Sequence, residues 1–288
     1  MVVYVDRPNQ LAKLVRVSAK GENLLLKTYP DSDSGLANTL STVFKETKAL
    51  YPNQKYGLVI WSHADGWTPW TTTRATAPDN STGNAIDIDL LAQALPDGGL
   101  EHIWFDACFM GSIEVFYQLR NKARYLIGSP TEVVMASAYD ASGIPYHKVL
   151  PYLLSHEETF LVTACKKYIQ HYYEKPSGST LQSVSIAMVK TSKLEDLYRA
   201  TKIALANKSS SLDGISMDNL QTYHRPQYPF HIYYDLGDVV NQISGESTEW
   251  NNAHKSCVIY KGATPRFTQS TKLLFRKPKA AKRGGILS

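Results

Sequence analysis

Three stretches decide the fold: Tyr56-Gly57-Leu58-Val59-Ile60-Trp61-Ser62-His63, His102-Ile103-Trp104-Phe105-Asp106-Ala107-Cys108 and Tyr125-Leu126-Ile127-Gly128-Ser129-Pro130-Thr131-Glu132. Each begins as a continuous apolar run and ends in polar residues. Continuous rather than alternating apolar runs are what a strand covered on both faces requires. A helix pattern follows the second run, with Met110, Ile113, Phe116 and Tyr117 on one side. Strands alternating with helices predict an α/β fold, a mostly parallel sheet flanked by helices on both faces.

Working outward, Met1 to Asp6 reads as a strand. Leu14–Ser18 and Leu24–Thr28 read as an added β-hairpin around Lys20-Gly21-Glu22-Asn23. Leu36, Leu40, Val43, Thr47 and Leu50 share a helix face, with Asp33 or Ser34 as the expected cap. Further on come a helix over 157–173, a strand over 183–189, a helix over 193–206 and a strand over 257–260. Trp67 to Ala85 has no periodicity and is rich in Thr, Pro, Asp, Asn and Gly. It reads as a long functional loop.

The 288 residues suit one large domain, and 43% hydrophobic content can fill a core. Three cysteines are too few for a disulfide framework. No apolar run reaches the roughly 18 residues of a membrane span. The net charge of +5 is concentrated in Lys272, Arg276, Lys277, Lys279, Lys282 and Arg283, so the body is near neutral. That distribution gives no nucleic-acid footprint. Residues 1–265 read as one domain, and 266–288 as a basic, disordered tail.

In open α/β sheets, ligands bind beyond the carboxyl ends of the strands. His63, Asp106, Cys108 and Glu132 all fall there. A thiol and an imidazole at one rim can act as nucleophile and acid/base partner. Each residue also has a structural reading. Asp106 could cap the next helix, Glu132 could be a helix-start acid, and a cysteine is often a core residue. Cys165, on a helix face with Leu161, Tyr168 and Tyr172, and Cys257, inside the last strand, fit the core reading. Cys108, at a strand-to-helix junction, would feel the positive end of a helix.

Residues 56–67 resemble the histidine motif of the clostripain family, and Phe105–Val115 resembles its cysteine motif. Ser129-Pro130-Thr131-Glu132, Gly143-Ile144-Pro145-Tyr146 and Tyr233-Tyr234-Asp235-Leu236-Gly237-Asp238 are similar to its later landmarks. The resemblance covers roughly residues 1–265. It implies a caspase-like fold and an endopeptidase that cleaves after Arg, less well Lys, through a His–Cys dyad. Cys108 would be the nucleophile and His63 the general acid/base. The amides of Ala64 and Cys108 would hold the oxyanion. Asp106 and Glu132 would line the pocket for the basic side chain. Self-cleavage would fall after Arg74. The expected partners are peptide or protein substrates containing Arg or Lys. No cofactor is required by the sequence; Ca2+ is implied by the family alone.

Three departures stand out. The family usually has Gly where this chain has Ala64, and a left-handed turn there would strain Ala64. Family chains also begin with a strand and helix before the strand matched by residues 2–6, and that unit is not found here. Family members are usually exported, so the resemblance implies a secreted or cell-envelope protein, whereas no leader is recognisable in this chain. These departures leave a competing reading, an inactive homologue that binds peptides or only folds.

Overall fold

The computed structural model describes residues 1–30, 32–67, 84–134, 143–175, 183–206, 216, 220–223 and 233–267. Among these, eight strands and eight α-helices are formed, in two sheets. Strands β1 (Val2–Val5), β2 (Ala12–Val17) and β3 (Asn23–Tyr29) form an antiparallel sheet in sequence order. The expected hairpin is β2–β3, with a bulge between Leu14 and Val15. Helix α1 (Ala37–Leu50) follows, then β4 (Gly57–Trp61), α2 (Ile88–Ala94), β5 (Leu100–Asp106), α3 (Ile113–Gln118) and β6 (Ala123–Gly128). The chain continues through α4 (Tyr146–Leu153), α5 (Glu158–Tyr173), β7 (Ser185–Lys190), α6 (Leu194–Ala206), α7 (Leu236–Ser244), α8 (Thr248–Cys257) and β8 (Val258–Ala263).

The main sheet runs β4-β5-β6-β7-β8. β4, β5 and β6 are parallel; β7 and β8 are antiparallel additions. This is the expected α/β architecture. β5 is the most deeply placed strand, and its alternate residues feed two cores. Ile103 and Phe105 face a layer containing Phe44, Leu91, Phe116, Leu197, Val240 and Trp250, from the helices on one side. Trp104 faces the other, against Val149, Leu161 and Tyr168 of α4 and α5. Its ring meets that of Tyr168 edge to face, with centroids 6.4 Å apart. In β5 and β6 the apolar runs are continuous because both faces are covered. The run of β4 departs from that expectation: β4 is an edge strand, Leu58 to Ile60 are only half-buried and Trp61 is 72% exposed.

Local boundaries differ from expectation at four places. Helix α1 begins after Leu36, which caps it without a side-chain bond. Asp33 instead accepts from the amide of Gly35 at 2.8 Å and from Asn84 at 2.7 Å. The short helix α2 carries too few residues to display a period. Cys257 ends α8 rather than opening a strand, because that helix passes into β8 with no intervening loop. Helix α3 starts only at Ile113, capped by Ser112, so Cys108 lies in a turn five residues ahead of it. The six-residue helix therefore offers that thiol no N-terminus. The tail from 268 onward lies outside the described residues.

Beneath the sheet, the buried His102 places its Nδ1 3.3 Å from that of His156. Both rings are neutral there, one donating and one accepting. Glu101, Glu157 and Lys55 are the charged groups around His156. Burial, followed by the neighbouring imidazole, pushes His102 down from 6.5 to about 3. The unfolded chain takes up this proton near pH 6.5, whereas the fold refuses it until about pH 3. Stability from this group is thus complete above 6.5 and falls as the pH drops, by about 1.4 kcal/mol per pH unit. Urea unfolding at several pH values should show this slope as the difference between the parent protein and His102→Phe. Parallel pH profiles would contradict it.

Candidate functional site

The register of β4 on β5 ends at the pair Trp61–Asp106, and one more backbone bond, Ser62 N–H to Asp106 O at 3.2 Å, extends it. His63 and Cys108 each lie two residues beyond that last pair. They leave the same end of neighbouring parallel strands, which run about 4.8 Å apart. His63 is exposed and Cys108 half-buried. Glu132 is half-buried in the segment that leaves β6 at the same end.

The cysteine turn is laced to that segment. Phe109 N–H donates to Thr131 O at 3.1 Å, and Gly111 N–H to Ser129 O at 2.9 Å. One step further out, the Val133 amide donates to Cys108 Sγ at 3.3 Å. A sulfur that accepts from an amide is better able to carry negative charge. The lacing needs glycine at two facing positions: a Cβ on Gly111 would lie 2.6 Å from Gly128 O, and one on Gly128 2.7 Å from Met110 O. Phe109 adopts φ 60, a left-handed conformation that is strained for a bulky side chain. The turn thus holds strain one residue after the thiol, where it is over-determined by bonds on both sides.

Asp106 is 5% exposed at the end of β5 and accepts a bond from the Tyr146 hydroxyl at 2.6 Å. It does not cap a helix. Burial pushes its carboxyl up to about 6, while the Tyr146 bond pulls the other way. Tyr146, the first residue of α4, lies on the same side of the sheet as Trp104. Cys165 is buried on α5 with Leu161, Tyr168 and Tyr172, and burial raises its thiol pKa steeply. The buried Cys257 is pushed up to about 12. Neither has the amide-bonded, half-exposed setting of Cys108.

The histidine turn approaches the cysteine turn at Gly66. This residue has φ +67, and a Cβ there would lie 2.5 Å from the Tyr233 hydroxyl oxygen and 3.0 Å from Phe109 O. The left-handed position is thus Gly66, and Ala64 is not among the residues with positive φ. The expected strain at Ala64 is absent, and its methyl is buried in the main core. Arg74 lies outside the described residues. Sequence reasoning missed Val133 and Tyr146 as contacts of the thiol and the acid. Neither carries a local signal, because each acts across 25 to 40 residues of chain.

A model of the clostripain family, Peptidase_C11, matches residues 1–275. Among solved structures, a secreted C11 cysteine protease from Bacteroides thetaiotaomicron, in complex with an irreversible peptide inhibitor, is 28% identical with a TM-score of 0.75. That match covers 99% of this chain and 81% of that one. An inactive zymogen C11 protease from Parabacteroides distasonis is also 28% identical, TM-score 0.75, covering 92% of this chain and 73% of that one. A cysteine protease from B. fragilis is 30% identical, TM-score 0.52, covering 65% and 78% respectively. No curated protein sequence matches this chain. Among the described residues, no helix is long and apolar enough to cross a membrane.

The two turn positions separate experimentally. Ala64→Gly should lower stability by about 1–2 kcal/mol, since it relieves no strain, loosens the unfolded backbone and removes a buried methyl. Gly66→Ala should cost more than about 1 kcal/mol, because it adds a Cβ at positive φ against Tyr233 and Phe109. Equilibrium urea unfolding of both variants checks this. A gain in stability in Ala64→Gly would place the left-handed residue at 64.

Proposed function

Because the chain belongs to the clostripain family of cysteine peptidases, we propose that it is an endopeptidase that cleaves after Arg, and less well after Lys, with Cys108 as nucleophile and His63 as general acid/base. The observation that carries this reading is the shared rim: His63 and Cys108 lie two residues past the last paired position of two parallel strands, and an amide bonds the cysteine sulfur. The Cys108 thiolate adds to the scissile carbonyl carbon. The resulting oxyanion takes bonds from the Cys108 and Ala64 amides. Collapse breaks the C–N bond, His63 gives its proton to the leaving amine, and an acyl-enzyme thioester remains. Water, losing a proton to His63, then hydrolyses the thioester and restores the thiol.

Asp106 supports the arginine preference on physical grounds. It is a buried carboxyl whose pKa is raised to about 6 by burial. An entering guanidinium would relieve that cost with a charged, two-pronged bond, with Glu132 as a second acid. An apolar side chain would leave the acid desolvated and offer it no charge. The family-implied self-cleavage after Arg74 and the possible role of Ca2+ extend the same reading.

Cys108→Ala should abolish peptide cleavage, a loss of several orders of magnitude, and leave the unfolding midpoint within a few degrees of the parent. Cys165→Ala should keep activity once its fold is verified. Assays on an Arg-containing peptide check both; activity within tenfold of the parent in Cys108→Ala would overturn the mechanism.

Asp106→Asn should lower kcat/KM for Arg peptides by about 1.5–3 kcal/mol and compress the Arg-to-Ala ratio. The sign of the pH effect follows from the raised pKa. Below about 6 the free enzyme holds Asp106 neutral and loses its attraction for the guanidinium, so the Arg preference should fall as the pH drops through 6. Matched Arg and Ala peptides between pH 5 and 8 test this. An Arg-to-Ala ratio that is flat with pH and unchanged in Asp106→Asn would show that this acid does not read the substrate.

A further inference from the structure

Tyr233 is 1% exposed and touches both turns of the site. Its hydroxyl donates to the carbonyl oxygen of Asp65, two residues after His63. Its ring stacks on that of Phe109, one residue after Cys108, with centroids 4.9 Å apart and planes 9° from parallel. Cys108 itself packs against the cluster of Phe109, Tyr223, Tyr233, Ala263 and Phe267.

The tyrosine is held firmly in turn. Tyr223 N–H donates to Tyr233 O at 3.1 Å, and the Tyr223 hydroxyl donates to Asp235 Oδ2 at 2.6 Å. Asp235 also caps α7 through its other oxygen, which accepts from Asp238 N–H at 3.1 Å. Behind this bracket, Gln221 N–H donates to Asp238 Oδ2 at 2.8 Å. The bracket therefore fixes Tyr233 to a helix that belongs to neither turn.

We infer that Tyr233 is a positioning residue: through its hydroxyl on Asp65 and its ring on Phe109, one buried side chain sets the spacing of His63 and Cys108. The inference rests on the His63–Cys108 reading above. The strained Phe109 explains why such a clamp is needed. A left-handed phenylalanine persists only where its surroundings hold it; the stack on Tyr233 adds to the backbone bonds of the turn, and relaxation would carry the adjacent thiol with it. A shift of about 1 Å between reacting groups can cost on the order of 100-fold in rate.

The test uses the whole protein, Tyr233→Phe, which keeps the stack and loses the hydroxyl, and Tyr233→Leu, which loses both. Three quantities are read: kcat and KM on an Arg peptide, the pH dependence of Cys108 alkylation by iodoacetamide, and the thermal midpoint. Tyr233→Phe should lower kcat by about 10- to 100-fold with KM within threefold. Its alkylation profile should move towards that of His63→Ala. Tyr233→Leu should lose more. A purely structural tyrosine would lower the midpoint and leave kcat and the alkylation profile at parental values in folded protein, and that result overturns the inference. If the parent cleaves nothing and His63→Ala does not alter alkylation, the peptidase reading fails and the inference falls with it. If the parent is active and Tyr233→Phe matches it, only the inference fails.

Discussion

The parallel pairing of β4 with β5 fixes what the rim can do. In a parallel pair, both chains run off the same edge, so residues at equal distances past the last bonded position emerge at one rim. Here that position is Trp61–Asp106, and the residues two steps beyond are His63 and Cys108. An antiparallel pairing, or a one-residue slip, would send one of them to the opposite end or the opposite face. The helices on both sides hold the register by burying Ile103, Trp104 and Phe105 of β5 almost completely.

On that base, two kinds of stored cost are placed at the rim. One is electrostatic, the carboxyl of Asp106 shut away from water with a phenol as its described partner. The other is conformational, the left-handed Phe109 beside the thiol. Both are unfavourable in isolation and persist because the surrounding lattice of amide bonds and the stacked Tyr233 leave no cheaper arrangement. Sites that bind and react commonly carry such costs, since a relaxed, solvated acid or thiol has less to gain from a substrate.

The strands and long helices were legible because their signals are local. The apolar runs at Ile103–Phe105 and Tyr125–Gly128 say that both faces are covered, and the period of α5 is visible over 16 residues. The run at Leu58–Trp61 reads the same way but forms an edge strand with Trp61 exposed, because sheet order is not encoded in the run itself. The placement of His63 and Cys108 at one end followed from the same pattern. The turn after Cys108 was misread as helix because Met110, Ile113, Phe116 and Tyr117 keep an apolar spacing that does not reveal where the helix begins. The contacts of Tyr146 with Asp106, Val133 with Cys108, and Tyr233 with both turns are tertiary, and no local propensity encodes them. The concern over Ala64 came from assuming which residue of the turn is left-handed; Gly66 takes that role.

Labelling with a peptidyl-arginyl acyloxymethyl ketone, followed by peptide mass spectrometry, bears most directly on whether this rim is a working arginine-directed active site. The expected result is a single adduct on Cys108 that fails to form in His63→Ala. It should also form at least tenfold more slowly with a norleucyl analogue, which lacks the guanidinium. A folded protein that takes no label, or one labelled on Cys108 at the same rate with either reagent, would contradict it.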